Sequence, residues 1–272
     1  MRINSLSLEN YRNIIRCDLT PGEGVNLIVG DNAQGKTNLM EAIWLLTGEK
    51  TFRYGREHDI PRLDMDRETQ RTRVYANVFA EGRDQELEYI LWPRRQVKIN
   101  GITEPGRNAF SGKLCCVIFS PNHLSLVRDG PAERRDFLDG AISQLRPQYI
   151  KVLSDYNRAL AQRSTLLREA FRDRSRLDLL PVFDYHVARL GSLIQVTRQS
   201  YLTRLAEYAA GFHQGISAGK EELSVRYTIG GTGSGILDPE GSREELEQAL
   251  LSLLEQAVGL SATLLMVKDS LL

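Results

Sequence analysis

Short runs of alternating apolar and polar side chains dominate the first 120 residues, the period of β-strands with one buried face. In the clearest run, Val74, Ala76 and Val78 alternate with larger or more polar neighbours. Four runs are predicted as strands: residues 3–8, 73–79, 86–91 and 96–99. The last run is followed by Asn100-Gly101, a dipeptide typical of the tight turn between antiparallel strands. The pattern therefore predicts an antiparallel β meander.

Two further runs are apolar throughout, residues 25–29 and 114–119. A continuous apolar run predicts a strand covered on both faces, so Cys115 and Cys116 are expected in the core. Residues 36–47 carry apolar side chains at helical spacing and predict a helix. These positions are Leu39, Met40, Ile43, Trp44 and Leu46.

From Pro131 onward, the spacing is that of long helices, and two apolar stripes predict helices that pack as a hairpin. The first stripe is Tyr149, Leu153, Tyr156, Leu160 and Leu167, and the second is Val187, Leu190, Ile194, Tyr201, Leu205, Tyr208 and Phe212. A short charged link, residues 172–181, joins them. Residues 223–229 are predicted as a strand and residues 230–235 as a flexible loop. The sequence Ser242-Arg243-Glu244-Glu245 is a capping box that predicts the start of another helix.

The most informative motif lies between the first continuous apolar run and the first predicted helix. It matches G-x-x-x-x-G-K-[ST], the loop that cradles nucleotide phosphates. The candidate contacts are Gly30, Asp31, Asn32, Ala33, Gln34, Gly35, Lys36 and Thr37. The glycines let backbone N–H groups approach an anion, Lys36 is expected to reach the β- and γ-phosphates, and Thr37 is expected to ligate Mg²⁺. The alternative is a loop that keeps this shape without a ligand.

Composition sets the broad class of the protein. The chain has 272 residues, 42% of them hydrophobic, which is enough to bury a core. Lys plus Arg equal Asp plus Glu at 35 each, so the net charge argues neither for nor against nucleic acid. Three cysteines do not suggest a disulfide framework. The sequence has neither an apolar signal region nor a run of the ~20 apolar residues that a membrane span needs, so a cytoplasmic protein is expected.

Local charge is more informative than net charge. Residues 146–176 contain eight basic and three acidic side chains. The basic set is Arg146, Lys151, Arg158, Arg163, Arg168, Arg172, Arg174 and Arg176. Two interpretations stay open for it: an arm that faces a polyanion, or an ordinary charged helix surface. The arginine pair at 134 and 135, after the helix start at Pro131, favours a solvated helix face.

Other chemistries lack their motifs. The four histidines, His58, His123, His186 and His213, have no metal-ligand spacing with one another or with cysteine. No G-x-S-x-G is present, and the glycine loop is not the G-x-G-x-x-G of dinucleotide-binding folds.

Several stretches resemble, in order, those of the RecF family. They are Leu6-Ser7-Leu8-Glu9-Asn10-Tyr11-Arg12-Asn13, Gly35-Lys36-Thr37-Asn38-Leu39-Met40-Glu41-Ala42-Ile43, Thr51-Phe52-Arg53, Phe119-Ser120-Pro121, Leu124-Ser125-Leu126-Val127, Gly130-Pro131 and Arg134-Arg135-Asp136-Phe137-Leu138-Asp139. Tyr149, Tyr156, Leu160, Arg163 and Gly191 follow the helical arm of the family. The resemblance covers roughly residues 1–260.

The resemblance implies an α/β fold: a P-loop ATPase head of the ABC/SMC type with an antiparallel β meander and an inserted α-helical hairpin arm. It implies an N-terminal lobe at residues 1–125, the arm at 126–214, and a return segment at 215–272. The implied function is ATP-dependent binding of single- and double-stranded DNA in recombinational repair, replication and the SOS response. Proteins of the RecO and RecR type would be partners in loading RecA at gaps, with Mg²⁺-ATP as the cofactor.

The sequence also departs from the family. Asn122-His123 stands where the family has a Glu-Asp pair, and the Gly-Pro-His-Arg-Asp-Asp stretch, the signature motif and the Walker B strand have no counterpart. A chain truncated before these parts is expected to be impaired in hydrolysis and in the ATP-dependent head-to-head homodimer of the family, so no catalytic residue is assigned. Two other functions stay open: a non-catalytic P-loop remnant that acts as an interaction module, and a small-molecule P-loop kinase.

Overall fold

A computed structural model describes residues 1–53, 57–120, 125–128, 130–170, 173–228 and 242–259. The chain divides into two compact units, residues 1–147 and 148–272. The division predicted from the resemblance, at residues 125 and 214, stays a prediction. The segments at Asn122-His123, at 230–235, predicted as a flexible loop, and at 262–272 lie outside the described residues.

The first unit is built on a six-stranded antiparallel sheet in the order β2-β1-β3-β4-β5-β6. Its strands are β1 (Arg2–Tyr11), β2 (Ile14–Leu19), β3 (Thr72–Ala80), β4 (Arg83–Trp92), β5 (Gln96–Ile99) and β6 (Ile102–Glu104). The predicted meander is confirmed, and β2 and β6 are additional. Asn100 and Gly101 connect the last two strands with φ of 51° and 78°, the left-handed pair that a tight hairpin requires.

One face of the sheet forms the core. Val74, Ala76 and Val78 of β3 are fully buried, and they pair in register with Leu8, Leu6 and Ile3 of β1. Helix α1 (Lys36–Leu45) contributes Leu39, Ala42 and Leu45 to the same cluster. The opposite face carries ion pairs, among them Arg73 with Glu88 and with Glu9. The alternation in the sequence therefore matches the two faces.

The buried face of α1 differs from the one predicted. Met40 is 43% exposed, whereas Glu41 is fully buried. A glutamate is rarely fully buried without a partner, and the burial of Glu41 depends on partners from other parts of the chain.

The two continuous apolar runs do not form strands, so this prediction is wrong. Val25 is 97% exposed and Val117 is 97% exposed, and neither run has strand pairing. Cys115 and Cys116 are half-buried free thiols, and Cys116 packs against the core cluster of the first unit. The backbone N–H of Cys116 instead donates to the Gln144 side chain at 2.8 Å. A strand needs a neighbour to satisfy its backbone groups, and neither run is hydrogen-bonded into the sheet that the described residues form.

The strand predicted at residues 223–229 is also absent over 223–228, and residue 229 lies outside the described part of the chain. Leu223 and Val225 are 37% and 40% exposed, so the alternation there does not correspond to a buried face.

The remaining elements of the first unit are helical. They are α2 (Ser125–Arg128), α3 (Pro131–Leu145) and 3-10 turns at Glu57–Asp59 and Arg107–Phe110. Helix α3 begins at Pro131 as predicted. Arg134 is exposed and donates to the carbonyl of Leu126 at 3.1 Å, so it lies on a solvated helix face.

The second unit contains α4 (Pro147–Glu169), a 3-10 turn at Arg174–Leu179, α5 (Leu180–Ser217) and α6 (Arg243–Gly259). Tyr156 lies against Gly191, and Arg163 pairs with Asp184, so α4 and α5 run antiparallel as the predicted hairpin. Helix α6 packs on α5, where Leu250 also approaches Gly191.

The start of α6 follows its predicted capping box. The N–H of Ser242 donates to the Glu245 carboxylate at 2.8 Å, and the N–H of Glu245 donates to the Ser242 hydroxyl at 3.2 Å. These bonds satisfy backbone donors that the first helical turn would otherwise leave unpaired.

The apolar stripe of α5 predicts a buried helix face. That prediction is wrong for the end of the stripe. Val187 and Ile194 are buried, but Tyr208 and Phe212 are 67% and 74% exposed. Helix α5 has 38 residues and α4 has 23, so a partner of that length cannot cover the whole stripe. None of the helices in the described ranges is both long and apolar enough to cross a bilayer.

Candidate nucleotide-binding site

The glycine loop ends at the N-terminus of α1. Gly35 is the N-cap residue, with φ of 99°, and no side chain caps the helix. The first turn of a helix has backbone N–H groups without intrahelical partners, and these together with the helix dipole attract an anion. The free N–H groups at the start of α1 therefore lie at the end of the loop, next to Lys36.

Lys36 lies along the loop that precedes it. Its ammonium donates to the carbonyl oxygens of Gly30 and Asp31, both at 2.6 Å. No acidic side chain in the described ranges forms an ion pair with it. A cation held by neutral carbonyls at a helix N-terminus fits a phosphate group.

The loop is held from outside by the turn between β1 and β2. The Asn13 side-chain amide donates to the carbonyl of Ala33 at 2.7 Å. Gly35 lies so close to the same side chain that an added Cβ would come within 2.8 Å of the Asn13 Oδ1 atom. Glycine is therefore required at position 35 both for its positive φ and for this close approach.

A buried carboxylate fixes the same turn to α1. Glu41 accepts hydrogen bonds from Arg12, at 3.0 Å from Nε and 2.8 Å from the second nitrogen, and from the hydroxyl of Thr51. Burial acts to raise the pKa of Glu41, but the Arg12 guanidinium and the Thr51 hydroxyl outweigh it and hold that pKa below its ordinary value. Burial, followed by the Glu41 charge, raises the pKa of Tyr11.

A second chain of hydrogen bonds ends at the loop. Arg53 donates to the Asn38 side-chain oxygen, Asn38 donates to Asn13 at 2.7 Å, and Asn13 donates to Ala33. Each amide in this chain uses its oxygen as acceptor and its nitrogen as donor. The segment at residues 51–53 is thereby linked to the loop across the first turn of α1.

The predicted site residues occupy one loop and one helix start. Residues 30–34 are exposed, and Thr37 is exposed on the first turn of α1. The strand expected before the loop is absent, so the loop is fixed by side chains instead. The motif alone did not identify five residues that hold it: Arg12, Asn13, Asn38, Glu41 and Arg53. All five lie in the stretches that carry the family resemblance, and that position was their only signal in the sequence.

The basic residues of the second unit have separate environments. Arg163 is buried, donates to Asp184 and contacts the Leu254 carbonyl at 3.3 Å, so it is removed from the candidate polyanion contacts. Arg176 pairs with Glu169 at 2.9 Å. Lys151 and Arg158 are exposed on α4. Arg172 lies outside the described residues.

Residues 1–102 match the family described as AAA ATPase domain. The chain is 34% identical to a DNA replication and repair protein RecF of Acetivibrio thermocellus, over 84% of this chain and 61% of that protein. It is 33% identical to RecF of Bacillus mycoides, over 97% of this chain and 70% of that protein. A solved structure of the recombination mediator protein RecF-ATP in the RecFOR pathway superposes with a TM-score of 0.84 at 28% identity, over 99% of this chain and 70% of that chain.

These similarities extend over the meander, the glycine loop and the helical hairpin together. The fold is accordingly that of a RecF-type P-loop ATPase head of the α/β class. The chain spans about three fifths of the length of the Acetivibrio thermocellus protein. The chain belongs to the RecF family of DNA replication and repair proteins.

Proposed function

We propose that the chain binds Mg²⁺-ATP at the glycine loop and acts as part of a RecF-type DNA repair protein. One observation carries this proposal: Lys36 and the N-terminus of α1 converge on one loop, where no acidic side chain among the described residues pairs with the lysine. Residues 30–37 would supply the phosphate contacts, as the sequence predicts.

Each group of the loop would contact a different part of the ligand. Backbone N–H groups of the loop and of the first turn would face phosphate oxygens, and Lys36 would exchange its two carbonyl partners for a phosphate. Thr37 would provide a hydroxyl ligand for Mg²⁺. The described residues contain no cluster of three or more His, Cys, Asp or Glu that could hold a metal ion. Mg²⁺ would therefore take further ligands from phosphates and water, which it does in many nucleotide sites.

Partners and assembly concern the whole protein as well as this chain. We propose single- and double-stranded DNA and proteins of the RecO and RecR type as partners, an ATP-dependent homodimer for the complete protein, and a role in RecA loading and the SOS response in the cytoplasm. The family relationship and the RecF-ATP structure support this function. Impaired hydrolysis by this chain alone stays a prediction.

Lys36→Ala is expected to weaken binding of a fluorescent ATP analogue with Mg²⁺ by about 10- to 100-fold, because it removes a charge-assisted hydrogen bond. Fluorescence anisotropy on a monodisperse sample measures the affinity. Lys50→Ala is the matched control, since it removes the same side chain from an exposed position after α1.

One result would favour a different function, and the fold argues against another. Weak binding that is the same in the wild type and in Lys36→Ala would favour the P-loop remnant. A small-molecule kinase needs a substrate lid and an acid near the phosphates, and the antiparallel meander that follows α1 argues against it.

A second expected result concerns DNA. Lys151 and Arg158 lie seven residues apart on α4, so they share a helix face. Replacing both with glutamine should weaken duplex DNA binding and lower the slope of log K against log salt by about 1.8, from 0.9 for each lost phosphate contact. Glutamine at Arg2 and Arg16, which are exposed in the first unit, removes the same charge and should leave the slope unchanged. Equal slopes in all three proteins would remove the α4 face from the DNA interface.

A further inference from the structure

We infer that Asn13 is a positioning residue that holds the glycine loop in its anion-receiving conformation by fixing the carbonyl of Ala33. The inference rests on the proposed function and adds a residue outside the P-loop motif to the site. Asn13 lies in the turn between β1 and β2, about twenty residues before the loop that it contacts.

Ala33 is the strained residue of the loop. Its φ is 65°, in the left-handed region that a residue with a Cβ adopts at a cost. Such conformations persist where neighbouring groups impose them, and they cluster at binding sites. The hydrogen bond of 2.7 Å from the Asn13 amide to the Ala33 carbonyl is a contact that imposes the left-handed conformation on Ala33.

The direction of that bond explains how it would act on a phosphate. In a trans peptide, the carbonyl oxygen and the following N–H point to opposite sides. Fixing the Ala33 oxygen toward Asn13 therefore turns the N–H of Gln34 away from Asn13. The same side chain constrains Gly35, because it leaves no room for a Cβ at that position. Asn13 thus orients consecutive peptide groups immediately before the helix N-terminus.

The environment of Asn13 favours positioning over a purely structural role. Its side chain is exposed, so it contributes little to the core. Yet both of its polar atoms are used, the oxygen by Asn38 at 2.7 Å and the nitrogen by Ala33. Asn38 in turn accepts from the charged Arg53, which fixes the direction of donation along the chain. The loop is therefore the end point of this chain of bonds.

The test compares Asn13→Ala with the wild type in two measurements. In the nucleotide-free protein, the backbone order parameter of the Gln34 amide should fall from about 0.85, typical of rigid backbone, to below about 0.6. The affinity for the fluorescent ATP analogue should fall about tenfold, because without Asn13 the left-handed conformer of Ala33 becomes a minor state. Asn100→Ala is the control, since Asn100 also holds a turn through its side chain, at 2.8 Å from the Glu86 N–H, far along the chain.

A rescue variant separates positioning from direct contact. Glycine adopts positive φ without steric cost, so Ala33→Gly combined with Asn13→Ala should bind within about threefold of the wild type. The inference is overturned if the double variant binds as poorly as Asn13→Ala and the order parameter of Gln34 in Asn13→Ala equals that in the wild type. An unaltered affinity in Asn13→Ala, with Lys36→Ala still defective, would overturn it as well.

Failure of the proposed function would look different. If the wild-type chain did not bind the analogue, the order parameter of the nucleotide-free protein would still report whether Asn13 fixes the loop. A rigid loop in the wild type that becomes mobile in Asn13→Ala would support the positioning role alone. A loop equally mobile in both proteins would overturn it.

Discussion

Glu41→Ala is expected to lower the free energy of unfolding of the first unit by about 3 kcal/mol, because removing one member of a buried ion pair leaves the other charge uncompensated. Glu41 is fully buried, and the Arg12 side chain that pairs with it is 15% exposed. Thr51 would also lose its acceptor. Both tryptophans, Trp44 and Trp92, lie in this unit. Urea unfolding followed by tryptophan fluorescence therefore reports on it.

The control for Glu41 is an exposed ion pair in the same unit. Arg16 and Asp18 pair at 2.8 Å, with exposed fractions of 72% and 54%. Asp18→Ala should leave the unfolding midpoint almost unchanged, because solvent screens such a pair. Equal midpoints for Glu41→Ala and Asp18→Ala would mean that the buried pair adds no stability to the unit.

The pH dependence of stability gives the same carboxylate a second readout. The pKa of Glu41 lies below its unfolded value of 4.5, so the folded state favours the ionised form. This contribution is present above pH 4.5 and is lost as the pH falls through the lower folded pKa. Glu41→Ala should accordingly flatten the acid limb of the stability curve, as measured by urea midpoints between about pH 3 and pH 6.

The sequence predicted the parts of the fold that depend on neighbours in the chain. The alternation at Val74, Ala76 and Val78 fixes one buried face of a strand, and Asn100-Gly101 fixes the turn, so the meander could be inferred. The capping box at Ser242 acts over three residues and was equally visible. Each of these signals has its physical cause within a few residues of the pattern.

The strand predictions that proved wrong depend on neighbouring strands that would come from distant parts of the sequence. An apolar run such as residues 25–29 becomes a strand only beside another strand, and the sequence of the run does not state whether that neighbour is present. The same reasoning applies to Val117 and Phe119, which are 97% and 86% exposed. Exposed apolar runs of this kind are also candidate sites for association between chains.

The candidate site was predicted in part for the same reason. The spacing of Gly30, Gly35 and Lys36 identifies a phosphate-binding loop because the residues expected to contact the phosphates are neighbours in the sequence. The residues that hold the loop come from separate elements, and a polar side chain such as Asn13 has no periodic signal. Glu41 was least predictable, since its burial depends on Arg12, 29 residues away.

In the second unit, the sequence likewise did not predict the environment of Arg163. On sequence alone it is one of eight basic residues in a charged segment, for which a polyanion-facing arm and an ordinary charged helix surface both stay open. Its partner Asp184 lies on the next helix, 21 residues later. Antiparallel packing of α4 and α5 brings the two together, so their pairing becomes visible only when the hairpin register is known.

Arg163→Ala is expected to lower the free energy of unfolding of the second unit by about 3–5 kcal/mol, because Asp184 would remain buried without a cation. The exposed fractions of the two side chains are 10% and 4%. Helix α6 would also lose a donor to the Leu254 carbonyl. Urea unfolding followed by circular dichroism at 222 nm reports mainly on this unit, which contains the longest helices, whereas the tryptophan transition should not move.

Two further variants decide whether the buried charge is the cause. Arg176→Ala breaks an exposed pair with Glu169, 48% exposed on both sides, and should cost less than about 1 kcal/mol. Arg163→Met combined with Asp184→Leu removes both charges and should recover most of the loss, since an apolar pair needs no compensation. A double variant as unstable as Arg163→Ala would assign the effect to the shape of the arginine side chain between α4, α5 and α6 instead of to its charge.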